Sequence, residues 1–286
     1  MIILRTVGEL REAVRAARGE GKRIGLVPTM GAFHQGHLSL VQRARERCGF
    51  VVVTLFVNPA QFNESADLAR YPRDEVSDTA LAKSVGADVL FAPSVDEVYP
   101  RGYVTTVEVA PLAEPLEGIV RGTQHFKGVA TVVTKLLNMA QPDEAFFGQK
   151  DAQQALIIRR LVRDLDFPVR IEVCATVRES DGLAMSSRNT LLDAESRRRA
   201  PALSRALFAV ANAVAGGETN AEAAMEPGRM VLIEAGIEPE YFAAVSAETL
   251  TPVDVVEDET LVAIAVRFGS VRLIDNVIVG TGSTQR

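Results

Sequence analysis

Apolar positions along the first half of the chain switch repeatedly between a helical and a strand period. Thr6-Val7-Gly8-Glu9 reads as a capping box, and Leu10, Ala13, Val14 and Ala17 recur behind it at helical spacing, which predicts a first helix. Arg23 to Thr29 is a short apolar run ended by Pro28, and Phe50 to Val57 is a continuous β-branched run; both predict strands buried on two faces. Between them Leu38, Val41, Ala44 and Arg45 fall on a helix that begins near Gly36. Strand, loop, helix and strand in that order form the building block of a parallel sheet. The pattern continues with a helix over Glu75–Val85, a strand over Asp88–Phe91, a helix over Gly128–Met139 and a strand over Ala145–Phe147. A helix starting at Asp151 places Ala155, Ile158, Val162 and Leu165 on one face and Arg159, Arg160 and Arg163 on the other, and a strand over Val169–Val173 follows Pro168. A doubly wound parallel α/β sheet is the economical reading.

From Asp181 the pattern changes to a polar loop, a helix over Asp193–Ala215 and the linker-like Gly216-Gly217-Glu218-Thr219-Asn220. Strands over Tyr241–Val245, Leu261–Phe268 and Val271–Val279 follow, the last two separated by the hairpin signal Gly269-Ser270. The expected organisation is a first domain over 1–180 and a smaller α+β domain with an antiparallel sheet over 181–286. A length of 286 residues agrees with two domains, since single cores stop growing near ~250–300 residues. The net charge of −6 argues against a polyanion such as nucleic acid as the main partner, while a local cluster still permits a small anionic ligand. Cys48 and Cys174 are too few and too far apart for a disulfide framework or a structural zinc site, which fits a reducing compartment. Met1-Ile2-Ile3-Leu4 runs straight into Arg5 and Glu9, so no secretory leader is expected. No stretch approaches the ~20 apolar residues of a membrane helix, and a cytoplasmic protein without a membrane partner is expected.

Candidate chemistry concentrates in Thr29-Met30-Gly31-Ala32-Phe33-His34-Gln35-Gly36-His37, where two of the 3 histidines stand at a predicted strand-to-helix turn. Such turns lie at the carboxyl ends of strands, where parallel sheets bind ligands. The N-terminus of the following helix offers unpaired N–H groups and a positive dipole end, which suits phosphate, and imidazoles there can donate to oxygens on which charge develops. The competing reading is a metal pair or two incidental surface histidines. A metal pair wants i, i+4 spacing on a helix or further ligands nearby, and neither occurs. Lys150 follows Gly148 at the mouth of a helix, so its ammonium and the backbone N–H groups can both face phosphate; a solvated lysine at a helix start is the plain alternative. No nucleophile elbow occurs.

These residues sit within a wider resemblance. His34 to His37 (HxGH) resembles the nucleotide-binding motif of the class I aminoacyl-tRNA synthetase and nucleotidylyltransferase superfamily. Together with Pro28–Gly31, Phe56–Phe62, Tyr71–Arg73, Phe147–Asp151, Asp181–Asn189 and Arg272–Asn276, it resembles the pantothenate synthetase family over nearly the whole chain. The resemblance implies a Rossmann-like fold and a ligase that uses ATP to join pantoate to β-alanine through pantoyl adenylate, releasing pyrophosphate and then AMP. It implies an ATP site of Met30, Gly31, His34, Gly36, His37, Gly148, Gln149, Lys150, Asp151, Val177, Met185, Ser186, Ser187 and Arg188, with Val177 contributing its backbone. Within that set His34, His37, Lys150, Ser186, Ser187 and Arg188 are the expected catalytic residues, His37 with acid character toward the phosphates. Met185–Arg188 looks like the counterpart of the synthetases' mobile loop. Gln61 and Gln154 match the family's pantoate-binding glutamines, whose amides both donate and accept. Magnesium is expected mainly through ATP phosphates, without a protein metal ligand, and a homodimer is implied. Asp74, Glu75 and Asp78 are expected to favour the helix N-terminus by dipole.

Two departures from the family pattern stand out. Most members carry glutamate where this chain has Gln149, and the segment Arg121-Gly122-Thr123-Gln124-His125-Phe126 is one residue longer than usual and lacks a proline. Rival readings are a nucleotidylyltransferase that leaves AMP on another small acceptor, and a non-catalytic nucleotide-binding module. A nucleic-acid-binding synthetase fragment is disfavoured because the acidic C-terminal module offers no basic stripe.

Overall fold

The computed structural model describes residues 1–62, 68, 69 and 71–280, so that 281–286, at the end of the expected second domain, lie outside the described residues. The chain divides into two compact units, Met1–Gly148 with Gln153–Cys174, and Gln149–Ala152 with Ala175–Arg286.

Among the described residues of the first unit, six strands form one parallel sheet: β1 (Ile2–Leu4), β2 (Ile24–Val27), β3 (Phe50–Thr54), β4 (Val89–Phe91), β5 (Glu144–Gly148) and β6 (Arg170–Cys174). The helices are α1 (Val7–Gly19), α2 (Gln35–Arg47), α3 (Glu75–Ser84), the short α4 (Val95–Val98), α5 (Ala110–Ala113) and α6 (Glu117–Arg121), then α7 (Thr123–Ala140) and α8 (Ala152–Asp164). The inner strands β2, β3, β4 and β5 are mainly apolar because both faces are covered, whereas the edge strand β6 carries Arg170 and Glu172. On one face Leu26, Val52, Phe91 and Phe147 pack with Leu10, Val14, Leu136 and Ile158 of α1, α7 and α8. On the other Val27, Val51, Leu90 and Phe146 pack with Leu40, Val41, Ala44 and Ala82 of α2 and α3. The sheet is therefore doubly wound, and α1 opens with the expected Thr6/Glu9 capping box.

Strand order is β1-β4-β3-β2-β5-β6. From β2 the chain winds through β3 and β4 to one side and then returns to place β5 on the other side of β2, so the winding reverses between β2 and β5. In open parallel sheets the crevice outside the carboxyl ends of two such strands is where ligands bind. At the opposite end of β5, Glu144 is fully buried and paired with Arg23 and Arg47, which ties the end of α2 to the sheet. Burial would raise its carboxyl, but the Arg47 hydrogen bond and the charges of Arg47 and Arg23 bring it below the usual range. The edge strand β1, Ile2–Leu4, is an element that the sequence pattern did not predict.

In the second unit β7 (Tyr241–Ser246), β8 (Thr260–Phe268) and β9 (Val271–Val279) form an antiparallel sheet in the order β7-β8-β9. Gly269-Ser270 makes the β8–β9 turn, with Gly269 at φ 56°. Helices α9 (Ala194–Arg199), α10 (Ala202–Ala215) and α11 (Ala221–Glu234) accompany the sheet, and Leu203, Leu207 and Val210 pack with Val262, Ile264 and Val266. The single helix expected over Asp193–Ala215 is two helices broken at Ala200–Pro201, because proline has no N–H to continue the ladder. The sequence pattern predicts no element between Asn220 and Tyr241, and α11 runs through Pro227-Gly228, a pair that ordinarily ends a helix. Packing overrides that signal: a Cβ on Gly228 would stand 2.8 Å from the Ala206 carbonyl oxygen, so only glycine lets α11 approach α10 this closely.

Candidate active site

The loop that leaves the carboxyl end of β2 is held from both sides. Thr29 donates its hydroxyl to the Thr54 carbonyl at 2.5 Å and its N–H to the Thr54 hydroxyl at 3.1 Å, which ties the loop to β3. Gly31 (φ 88°) and Ala32 (φ 54°) then take left-handed conformations, uncommon for alanine. The buried carboxylate of Asp78 secures this turn by accepting the N–H of Ala32 at 2.9 Å and of Phe33 at 2.7 Å. A Cβ on Gly31 would lie 2.8 Å from the same carboxylate, so glycine is required twice over.

His34 and His37 emerge from this turn as a reciprocal cap on α2. The N–H of Gly36 donates to Nδ1 of His34 at 3.1 Å, the N–H of His34 donates to Nδ1 of His37 at 3.4 Å, and the ring centroids are 4.2 Å apart. Because each Nδ1 accepts a backbone proton, each neutral ring carries its own proton on Nε2. The spacing of two histidines three residues apart is thus explained locally: it is the capping-box spacing, with imidazoles in place of the usual hydroxyl and carboxylate.

Beyond β3, Asn58 is 1% exposed and organises the next candidate. It caps the turn Pro59–Gln61, donating Nδ2 to Gln61 Oε1 and to the Gly128 carbonyl, each at 3.1 Å, while Oδ1 accepts the Ala60 N–H. The Tyr99 hydroxyl donates to Asn58 Oδ1 at 2.9 Å, and burial raises this phenol far enough to keep it protonated as a donor. Gln61 donates Nε2 to Met30 Sδ at 2.8 Å, and its carbonyl meets His125 Nδ1 at 2.8 Å. Met30, His34, Gly36, His37 and Gln61 are thus gathered around the carboxyl end of β2. Gly148 ends the neighbouring β5, and Gln154 is half-buried in the first turn of α8.

In the second unit two further candidates converge on β9. The turn Gln149–Asp151 is gripped by Asn276, which donates Nδ2 to the carbonyls of Gln149 at 2.9 Å and Lys150 at 3.0 Å and accepts Gln149 Nε2 at 2.8 Å. Lys150 Nζ stands 3.8 Å from the Asp151 carboxylate. Val177 to Met185 form a tight hairpin, with Met185 N–H donating to the Val177 carbonyl at 2.9 Å and Glu179 N–H to that of Leu183 at 2.8 Å. Arg197 clamps its tip through Glu179 and Asp181, and that hydrogen bond holds the Asp181 carboxyl below its usual range. At the hairpin exit the Ser186 hydroxyl accepts the Arg188 N–H at 3.2 Å and caps the turn Ser187–Leu191, leaving Arg188 exposed. Burial pushes the Cys48 and Cys174 thiols up to about 11, so neither is a nucleophile at neutral pH.

Comparison with known proteins decides what these turns belong to. The family model for pantoate-beta-alanine ligase matches residues 2–278. The chain belongs to the pantoate-beta-alanine ligase family. A pantothenate synthetase of Cereibacter sphaeroides is 53% identical over 276 residues, which cover 96% of this chain and 98% of the relative. The crystal structure of pantothenate synthetase from Thermus thermophilus superposes with a TM-score of 0.91 at 47% identity, covering 98% of this chain and 100% of that one. The pantoate-beta-alanine ligase of Francisella tularensis, solved with beta-gamma ATP and beta-alanine, has a TM-score of 0.77 at 33% identity over 97% of both chains.

Within this pantoate-beta-alanine ligase family member, several residues that shape the candidate site make contacts that the sequence does not announce, while Asp74, Glu75 and Asp78 do stand at the N-terminal end of α3 as expected. Asp78 does more than complement a helix dipole: it is the carboxylate that fixes the turn before His34. Its i, i+4 relation to buried Ala82 is the signal that could have placed it on the inner face of α3. Asp74 is the N-cap of α3, accepting the Ser77 N–H, and Glu75 pairs with Arg5. In the lengthened segment Arg121 binds Glu117 at 2.7 Å. Gln153, beside Gln154, is buried and holds the Glu117 N–H and the carbonyls of Leu112 and Pro115.

Proposed function

We propose that this chain joins pantoate to β-alanine at the expense of ATP. A carboxylate oxygen of pantoate attacks the α-phosphorus and expels pyrophosphate; the β-alanine amine then attacks the acyl carbon of pantoyl adenylate and AMP departs with the electron pair of the broken C–O bond. The chemistry calls for positioning and charge neutralisation, not for a covalent nucleophile. In this reading His34 and His37 donate from Nε2 to phosphate oxygens as charge develops, His37 acting toward the departing pyrophosphate. Met30, Gly31, Gly36, Gly148, Gln149, Asp151, Val177 and Met185 contribute to the nucleotide site. Lys150, Ser186, Ser187 and Arg188 supply the ammonium, two hydroxyls and the guanidinium that neutralise the triphosphate. Gln61 and Gln154 hold the hydroxyls and carboxylate of pantoate. The reciprocal histidine cap at the strand pair where the winding reverses is the observation that carries this reading.

Magnesium belongs to the nucleotide here, bound through phosphate oxygens and water, and adds charge neutralisation when present. Among the described residues no group of three or more His, Cys, Asp or Glu is arranged to hold a cation, and we assign no side chain to it. The same reading carries a cytoplasmic homodimer, which sedimentation tests. No described helix is long and apolar enough to cross a membrane.

The decisive measurement is exchange of labelled pyrophosphate into ATP. Exchange should require pantoate and proceed without β-alanine, and adding the amine should yield pantothenate and AMP in equal amounts. A stable adenylylated product that does not react with the amine would instead identify a nucleotidylyltransferase, and pantoate-independent ATP binding without exchange would identify a non-catalytic module.

Gly128 offers a separate check on Gln61. A Cβ there would lie 2.2 Å from the Ala60 carbonyl oxygen, a backbone atom that no rotamer change can move aside. Gly128→Ala should push the Pro59–Gln61 turn away, lowering stability by about 1–3 kcal/mol and raising KM for pantoate more than KM for ATP. Equal changes in both constants would argue against pantoate at Gln61.

A further inference from the structure

The Arg272–Asn276 segment of β9 takes no direct part in the proposed reaction, yet Asp275 and Asn276 are 3% and 5% exposed and both are fully engaged. Asn276 spends its donors on two successive carbonyls, those of Gln149 and Lys150. The first belongs to the peptide plane before the Lys150 Cα and the second to the plane after it. Fixing both planes fixes φ and ψ of Lys150 together, and with them the direction in which its side chain leaves the backbone. The Asn276 amide oxygen is occupied by Gln149 Nε2, so the amide cannot rotate without losing all three bonds. Behind it, Asp275 accepts the Asn276 N–H at 2.8 Å and a two-point bond from Arg178 at 2.6 and 3.1 Å. Arg178 in turn donates to the Gly182 carbonyl at 3.1 Å, inside the hairpin that leads to Ser186.

We infer that Asn276 is a positioning residue for Lys150, with Gln149 as its counterpart and the Asp275–Arg178 pair as its footing. The inference rests on the reading of Lys150 as a phosphate-contacting group. It also gives Gln149 a purpose. Asn276 Oδ1 can only accept, and in this chain the Gln149 amide supplies the proton, a bond added to the grip on the two carbonyls and not required for it.

The test uses the full chain and four variants: Asn276→Ala, Lys150→Ala, the double variant, and Asn276→Asp. In pantoate-dependent pyrophosphate exchange, Asn276→Ala should lower kcat roughly ten- to a hundred-fold, the loss that a misplacement of about 1 Å produces, with KM for pantoate within about twofold. In the Lys150→Ala background the same substitution should cost less than about twofold, because a residue that acts through another has nothing left to position. A full, additive loss in that background would overturn the proposal, since general damage to the unit does not depend on whether Lys150 is present. Asn276→Asp, which keeps the shape and the acceptor but cannot donate to the two carbonyls, should lose as much as Asn276→Ala. Should Asn276→Ala fail to fold, wild-type kcat for Asn276→Asp would overturn the proposal alone. If the wild-type chain shows no exchange, the ligase reading fails by itself; calorimetric titration with MgATP then decides the positioning claim through the same non-additivity in Kd.

Discussion

Replacing Lys150 by alanine should lower the rate of pyrophosphate exchange by about two to three orders of magnitude, the usual cost of removing one preorganised donor from a developing negative charge. The structure gives reasons to expect the upper part of that range. Lys150 does not sit on a loose surface turn: its flanking carbonyls are both bonded to Asn276, so the direction in which its side chain leaves the backbone is set in advance. Its contribution should appear mostly in kcat, since charge on the bridging oxygen grows as pyrophosphate departs. Lys150→Arg should restore only a small part, because a planar fork cannot reproduce a compact ammonium from the same backbone position. His37→Ala is expected to fall in the same range, as the Nε2 proton of that ring is fixed by the His34 N–H on its other nitrogen. Wild-type exchange by both alanine variants would show that the chemistry lies elsewhere in the chain.

Asp78→Asn should reduce kcat/KM by about a hundredfold while leaving the protein folded, although residue 78 touches no proposed substrate. The carboxylate accepts two backbone N–H groups at once, and an amide can accept only one, its NH₂ group being turned toward a second donor. One buried N–H is left without a partner, at a cost of about 1–3 kcal/mol. The cheapest relief is for Ala32 to abandon its left-handed conformation, which moves the start of α2 and both imidazoles. A shift of about 1 Å there is enough for the predicted loss. The variant should show a lower denaturant midpoint with an unchanged m-value, alongside the kinetic defect. Loss of stability with undiminished kcat/KM would reduce Asp78 to a purely structural part.

Much of the first unit was legible because its inner strands are short, mainly apolar runs interrupted by amphipathic helices. The segment Phe50–Thr54 can be nothing but a strand buried on both faces, and the Thr6/Glu9 cap announces α1. Local signals failed where tertiary contacts outweighed them. Pro227-Gly228 has every mark of a turn, but α11 runs through it because glycine there admits α10 at a distance no other residue allows. In the candidate site the histidine pair, Lys150 and the Ser186–Arg188 loop were visible as residue types in a telling order. Asp78, Asn58 and Asn276 were visible as residues but their targets were not, since each also acts on a backbone group far away in sequence.

The chain's own pattern of residues determined that there would be a parallel sheet with helices on both sides, a smaller antiparallel module, and two imidazoles at the start of a helix. Those outcomes follow from period, capping and turn chemistry, which act over a few residues. Folding alone decided that β5 lies beside β2 instead of beyond β4, which sets the histidine turn where the winding reverses. It also decided that a carboxylate from α3 and an amide from β9 hold the turns carrying His34 and Lys150. Hydrogen bonds of this kind join positions 45 to 127 residues apart, and only the closed chain brings their donors and acceptors within reach.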